Sequence, residues 1–324
     1  MNSNYGFESQ FRNAFTDFIN EKRGLGFTYV PELNSLLRFD RYIIDSGYDG
    51  MTITRELFET ASARKPYESE RTYETRKYTY RQFCKYYVRV GGKAWYPQTI
   101  HKGNNVKRYR PHIYTDDELR RFMDAAKQMP GNEHRKLLFP MFFELLICTG
   151  MRMREAADLK KKDLEFISDI ALISIRKAKF DKQRKIPVGP EFTVSLKEYL
   201  NKSQLCFPNT EYLFPSGLGK PYSSHELYIT FRRLLWAAGI SHGGKQYGPR
   251  LHDFRHSFAV KSLRKLVLSG EDIRAVIPLL CQYLGHEDIS STQTYLQFTA
   301  DMFPYVVEKM ESSLGDVVPG RECV

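Results

Sequence analysis

The sequence predicts a mainly α-helical protein in two domains, a helical one over residues 1–110 and an α+β one over 111–324 with a single small antiparallel sheet. Three observations carry this expectation. At 324 residues the chain exceeds one typical domain. Its apolar residues recur mostly at three- and four-residue spacing, the period of a helix that buries one face. Only "DIALISIRKAKFDKQRKIPV" (169–188) shows instead two β-branched runs around a polar turn, the pattern of a hairpin.

The elements follow in order. "FESQFRNAFTDFINEKRGLG" sets Phe7, Phe11, Phe15 and Phe18 at helical spacing and stops at Gly24. "VPELNSLLRFDRYIIDSG" repeats the pattern with Leu33, Leu36, Leu37, Phe39 and Ile43 and stops at Gly47. A further helix runs from Glu68 to Val90. These phenylalanines form a core. "VGGKAWYPQTIHKGNNVKRYRP" (90–111), with paired glycines, two prolines and adjacent asparagines, reads as a flexible linker, placing the domain boundary near Pro111. "YTDDELRRFMDAA" opens the second domain with a capping box, Thr115 as N-cap and Glu118 three residues on. "HRKLLFPMFFELLICTG" is a long apolar helix ending at Gly150. After the hairpin, helices resume at Pro190 and at Ser223, where Ser223 and Glu226 form a second capping box. Runs over 252–268 and 271–284 follow, and "DMFPYVVEKMESSL" (301–314) is helical and apolar on one face, packed in cis or against a neighbouring protomer.

Charge narrows the function classes. The net charge is +11, and residues 61–115 hold thirteen basic side chains against Glu68, Glu70 and Glu74, nearly the whole excess. Such a stripe suits a polyanion, because each neutralised phosphate releases counterions. Tyr73, Tyr78, Tyr80, Phe83, Tyr86 and Tyr87 interleave with it. The segment therefore reads as helices with a packed face and a phosphate-contacting face, the contacts assigned to Arg76, Lys77, Arg81, Lys85, Lys107 and Arg108. No apolar run approaches the ~20 residues needed to cross a bilayer. The first residues lack an apolar stretch behind a basic cluster, so no secretory signal is expected. Five scattered cysteines without a CxxC pair give neither a disulfide framework nor a zinc site, and fit a reducing cytosol.

Four separated stretches carry the chemistry. "CTGMRMREAADL" offers Arg152 or Arg154, followed by Glu155; "KAKFDKQRKIPV" offers Lys177, Lys179 or Lys182; "HDFRHSFA" supplies His252 and Arg255; "YLGHEDISSTQTYLQF" supplies His286 and Tyr295. Arginine forks match the non-bridging oxygens of a phosphodiester and stabilise added charge in its transition state. A lysine protonates a departing alkoxide, histidines move protons near neutral pH, and a tyrosine hydroxyl can attack phosphorus. No metal-ligand spacing occurs, so the expected site uses arginines in place of metal ions and needs no cofactor.

Taken together, over residues 112–305, these stretches resemble the tyrosine recombinase (phage integrase) family, whose six site positions occur in the same order. "TGMR" matches the first-arginine motif, "RHSFA" after "HD" the second, and "LGH" precedes the tyrosine at the family interval. The resemblance implies the DNA breaking-rejoining fold, with a core-binding domain before the linker. It implies Arg152, Arg255 and His286 as phosphate ligands, Lys179 as the acid for the leaving 5′-oxygen, His252 as a proton shuttle, Tyr295 as nucleophile and Glu155 as support. Residues two apart on a helix face apart, so only one of Arg152 and Arg154 suits the site. His256 falls at the family's packing position and Tyr283 in the core. Double-stranded recombination sites as substrate, a clamp around DNA, a homo-tetramer on paired sites from free monomers or dimers, and a cytoplasmic, nucleoid-associated location are further implications. The stretch "VLSGEDIRAVIPLLCQYLGH" is several residues longer than in commoner members, resembling a subgroup of mobile elements. A monomeric type IB topoisomerase of similar chemistry and a catalytically silent DNA-binding regulator are the alternatives; the regulator would lack an arginine or the tyrosine, and none is missing.

Overall fold

Two compact units, Met1–Arg108 and Tyr109–Val324, divide the chain. The computed structural model describes residues 5–99, 110–176, 183–206, 208–244, 248–285, 295–296 and 298–299. Lys107, Arg108, Lys179, His286 and the stretch 301–314 lie outside the described residues.

Among its described residues the first unit has four helices and one two-stranded ribbon: α1 (Arg12–Gly24), α2 (Val30–Asp45), β1 (Thr52–Ile53), α3 (Arg55–Ala61), α4 (Glu70–Arg89) and β2 (Lys93–Ala94). The expected phenylalanine core is present: Phe15 stacks on Phe83 at 4.0 Å between ring centroids, and Phe39 on Tyr80 at 4.4 Å. Phe7 precedes α1 but still packs into this core. The short α3, capped by the Thr54 hydroxyl, was not predicted; a seven-residue helix is too brief to show a period. The linker also begins later than its composition suggests. Lys93 and Ala94 pair in parallel with Thr52 and Ile53, and Trp95 and Tyr96 pack against the core. Glycine content at 91–92 marks the turn out of α4, where Gly91 has φ +94°.

One assignment in the basic stripe is overturned. Arg76, expected to contact DNA, is only 2% exposed. Its guanidinium donates to both Glu68 oxygens, at 2.9 and 2.7 Å, and to the carbonyls of Ala61 and Ala63. The reason is helical register: position 76 falls on the buried stripe of α4 with Tyr80, Phe83 and Tyr87. Lys85 is exposed and Lys77 half-buried, whereas Arg81 donates to the carbonyls of Pro97 and Gln98.

The second unit contains α5 (Asp116–Lys127), α6 (Glu133–Thr149), α7 (Met153–Ala157), β3 (Leu164–Ile167), β4 (Ile170–Ile175), β5 (Arg184–Val188), α8 (Pro190–Cys206), α9 (Ser224–Ala237), α10 (Asp253–Leu268) and α11 (Ile273–Leu284). Both capping boxes form, Thr115 with Glu118 and Ser223 with Glu226. Apolar on nearly every side, α6 is the central helix and packs on α5, α8 and α10. Phe122, Phe143, Phe231 and Phe254 meet edge to face beside it, so the α10 motif is anchored by a core aromatic. The hairpin exists as β4–β5 and is extended to a three-stranded antiparallel sheet, order β3-β4-β5. Strand β3 escaped the sequence reading because its residues are mostly solvent-facing and lack alternation. A tight turn through Ser168, at φ +54°, joins it to β4.

Candidate active site

The site is built where two helices end. Helix α6 stops at Gly150, left-handed at φ +59°; a Cβ there would lie 2.5 Å from the Phe258 ring, so only glycine fits. Two residues on, Arg152 caps α7, and Glu155 returns to it: the carboxylate accepts from the Arg152 backbone N–H at 3.0 Å and from Nη1 at 2.8 Å. Helix α11 ends at Leu284 and Gly285, the latter at φ +67°.

The last carbonyls of a helix lack partners within it. At the end of α11 three successive ones are taken by three different arginines. Arg184 Nε donates to Tyr283 O at 2.8 Å, Arg255 Nη2 to Leu284 O at 2.5 Å, and Arg152 Nη2 to Gly285 O at 2.8 Å. Arg255 Nη1 also donates to Gly150 O at 3.0 Å, so the two motif glycines each offer a carbonyl to an arginine. The negative ends of two helix dipoles thus support the cationic cluster.

Its electrostatics are unbalanced. Arg184 grips Glu155 with both terminal nitrogens, at 3.2 and 2.7 Å, in an ion pair whose side chains are 8% and 4% exposed. Burial alone would raise the Glu155 carboxyl, but the hydrogen bonds and charge of Arg184, aided by Arg152, hold it below the usual carboxylate range. Arg255 is 2% exposed and forms no ion pair with a carboxylate among the described residues. Burial and the neighbouring Arg152 charge push its pKa down to about 10. Three guanidiniums around one carboxylate leave an excess of positive charge shielded from water.

Tyr295 lies against this cluster, 3% exposed. Burial raises its phenol pKa, opposed by the charge of Arg255, which is placed to hydrogen-bond the hydroxyl, and by Arg152. His252, at the start of α10, borders a cavity of about 380 Å³ shared with Arg152, Arg154, Ser224 and Tyr228. Desolvation, then Arg255 and Arg152, push its pKa down to about 4, although the residue as a whole is exposed. Asp253, fully buried, accepts from the backbone N–H groups of Arg250 and His112 and fixes this end of α10.

Among the residues expected here, Arg152, Glu155, His252, Arg255 and Tyr295 come together; Lys179 and His286 lie outside the described residues. Arg154 borders the same cavity but is engaged elsewhere, donating to Asp158 and to Tyr222 O. Tyr283 stacks on Phe258. His256, assigned to packing alone, has its ring 5.6 Å from that of Tyr295 and 5.0 Å from that of His252. Sequence reading missed Arg184. The signal was there: β-strand alternation puts position 184 on the same face as buried Ile186 and Val188.

Comparison with known proteins gives the family. The profile described as the phage integrase family matches residues 113–301. A Sinorhizobium fredii protein described as an integrase/recombinase, y4rB, is 31% identical over 311 residues, covering 94% of this chain and 98% of its own. Tyrosine recombinase XerC of Bacillus subtilis is 27% identical over 309 residues, covering 90% and 93%. The fold is that of the XerH site-specific recombinase bound to a palindromic difH substrate, with a TM-score of 0.63 at 20% identity over 86% of this chain and 78% of that one. With the family profile matched across more than half its length and a relative matched along nearly all of it, the chain belongs to the phage integrase family.

Proposed function

We infer that the chain is a site-specific DNA recombinase that cuts and rejoins strands through a 3′-phosphotyrosine. One observation carries this reading: a buried arginine, Arg255, with no carboxylate ion-pair partner among the described residues, beside a second arginine and a tyrosine hydroxyl. A guanidinium cluster in that state is preorganised for an anion, and the adjacent phenol is a nucleophile for it.

The Tyr295 oxygen attacks the scissile phosphorus, forming a P–O(tyrosine) bond as the bond to the 5′-oxygen breaks. Arg152, Arg255 and His286 neutralise the non-bridging oxygens. His252, neutral at physiological pH with its depressed pKa, accepts the phenolic proton, and Lys179 protonates the departing 5′-oxygen. A 5′-hydroxyl from the partner duplex then displaces Tyr295. The number of phosphoester bonds is unchanged, so the exchange is closed without ATP. Two duplexes present four strands and each protomer brings one Tyr295, so the complete reaction takes a tetramer on paired sites. The first unit tracks the DNA backbone with Lys77, Lys85, Lys107 and Arg108. The expected place of action is the cytoplasm, on the nucleoid.

The test is a nicked suicide duplex that the protein itself selects from a random-sequence pool. The wild type is expected to accumulate a covalent adduct through the 3′ end, and Tyr295→Phe to give none. An adduct that persists in Tyr295→Phe overturns the nucleophile assignment. Robust relaxation of supercoiled plasmid lacking paired sites would favour the topoisomerase instead.

A further inference from the structure

We propose that Arg184 is a positioning residue for strand cleavage, resting on the recombinase reading above: it shares the charge of Glu155 so that Arg152 keeps N–H donors for phosphate, and it ties the hairpin strand β5 to the end of α11. Four contacts meet in this one side chain. Two of its nitrogens clamp the Glu155 carboxylate. Its Nε reaches across to Tyr283 O. Its guanidinium also fills the space above Gly285, where an added Cβ would come within 2.9 Å of Nη1. Among the described residues, the other side chain that hydrogen-bonds both Glu155 and the end of α11 is Arg152 itself.

The charge logic gives Arg184 its function. Glu155 is a buried carboxylate beside two arginines. With Arg184 present, its charge is balanced by a group that never meets substrate, and Arg152 spends only Nη1 on it. Without Arg184, the nearest cation left for a desolvated carboxylate is Arg152 itself. Its fork would close on Glu155 as a bidentate pair and be lost to the phosphodiester. The carbonyl contact adds a mechanical role. Arg184 opens β5, five residues beyond Lys179, and Tyr283 lies three residues before His286. One guanidinium therefore links the strand leading from the expected acid to the helix leading to the expected phosphate ligand.

The experiment uses the full chain and the self-selected nicked duplex, comparing Arg184→Met, Arg184→Lys, Glu155→Gln and the double variant Glu155→Gln/Arg184→Met. Affinity is read by gel shift and cleavage by single-turnover adduct formation at saturating protein. Arg184→Met is expected to slow cleavage about 10- to 100-fold, the usual effect of removing a residue that orients a ligating one. Its DNA affinity stays within about 3-fold, and Arg184→Lys, which keeps the charge but not the fork, recovers part of the rate. Because the two residues act as a pair, the double variant is no slower than the slower single variant. Wild-type cleavage rates in Arg184→Met, parallel loss of affinity and cleavage, or deficits that multiply in the double variant each overturn the proposal. An Arg184→Met protein that does not fold leaves Arg184→Lys and the double variant to decide it in the same way. Absence of an adduct in the wild type overturns the recombinase reading, and this role with it.

Discussion

Arg76 in the first unit and Arg255 in the second are equally hidden, each 2% exposed, yet they differ in what surrounds them. Arg76 meets both oxygens of Glu68, two carbonyls and the faces of Tyr73 and Tyr80. Its charge is cancelled where it stands. Among the described residues Arg255 meets the carbonyls of Gly150 and Leu284 and the Tyr295 hydroxyl but no carboxylate in an ion pair, with Arg152 near enough to lower its pKa. A buried arginine that is balanced belongs to the architecture; one left unbalanced is waiting for an anion. The same residue type, buried to the same degree, is thus an ion pair of the architecture in one unit and, in the proposed reaction, a phosphate ligand in the other.

That contrast can be broken at its largest effect by Arg76→Met, which strands Glu68 in the interior. Loss of one partner of a buried pair costs about 3–5 kcal/mol, so chemical denaturation should show the first unit strongly weakened. Arg255→Met should do the opposite. Removal of one preorganised donor slows reactions of this kind about 10²- to 10³-fold, while thermal melting of the free protein stays level or rises, because an uncompensated charge is gone. A fall in stability matching that of Arg76→Met would erase the distinction.

A third substitution sharpens it. Gly285→Ala puts a Cβ in the left-handed region, at roughly 1–2 kcal/mol, and against Arg184. Gly270→Ala, equally left-handed at φ +85° but with open space around it, is the control. Both should lose similar stability, and only Gly285→Ala should also lose cleavage. The smallest effect is in pH. The folded-state pKa of His252, about 4, lies below its unfolded value of about 6.5, so between those values the unfolded chain binds more protons. Stability therefore rises with pH through that window and levels off above it. Melting curves of the wild type and His252→Gln should diverge as pH falls towards 4, the wild type losing more.

Legibility in the sequence followed the range of the interaction. Capping boxes at Thr115 and Ser223 are three-residue events and were readable without a structure. So was the glycine ending α6, because a helix that stops often needs a left-handed residue. Arg76 shows local evidence misapplied: charge was counted, but the helical stripe through Tyr80, Phe83 and Tyr87 had priority. Arg184 marks the limit. Its alternation with Ile186 and Val188 gave the face, yet nothing local could say that Glu155, 29 residues earlier, and Tyr283, 99 residues later, would meet it there. Strand β3 needed its neighbour β4 to exist at all.

The three carbonyls at the end of α11 act as a surveyor's benchmark. Position in the site is measured from that point, not along the chain from Arg255. Helix α11 starts at a new cap, Asp272, after the bend at Ser269–Gly270. Residues added there lengthen the path without moving its destination. The extra length expected between Arg255 and His286 would then be absorbed upstream of the benchmark, and that bend is where a graft or a permuted terminus would be accepted most readily.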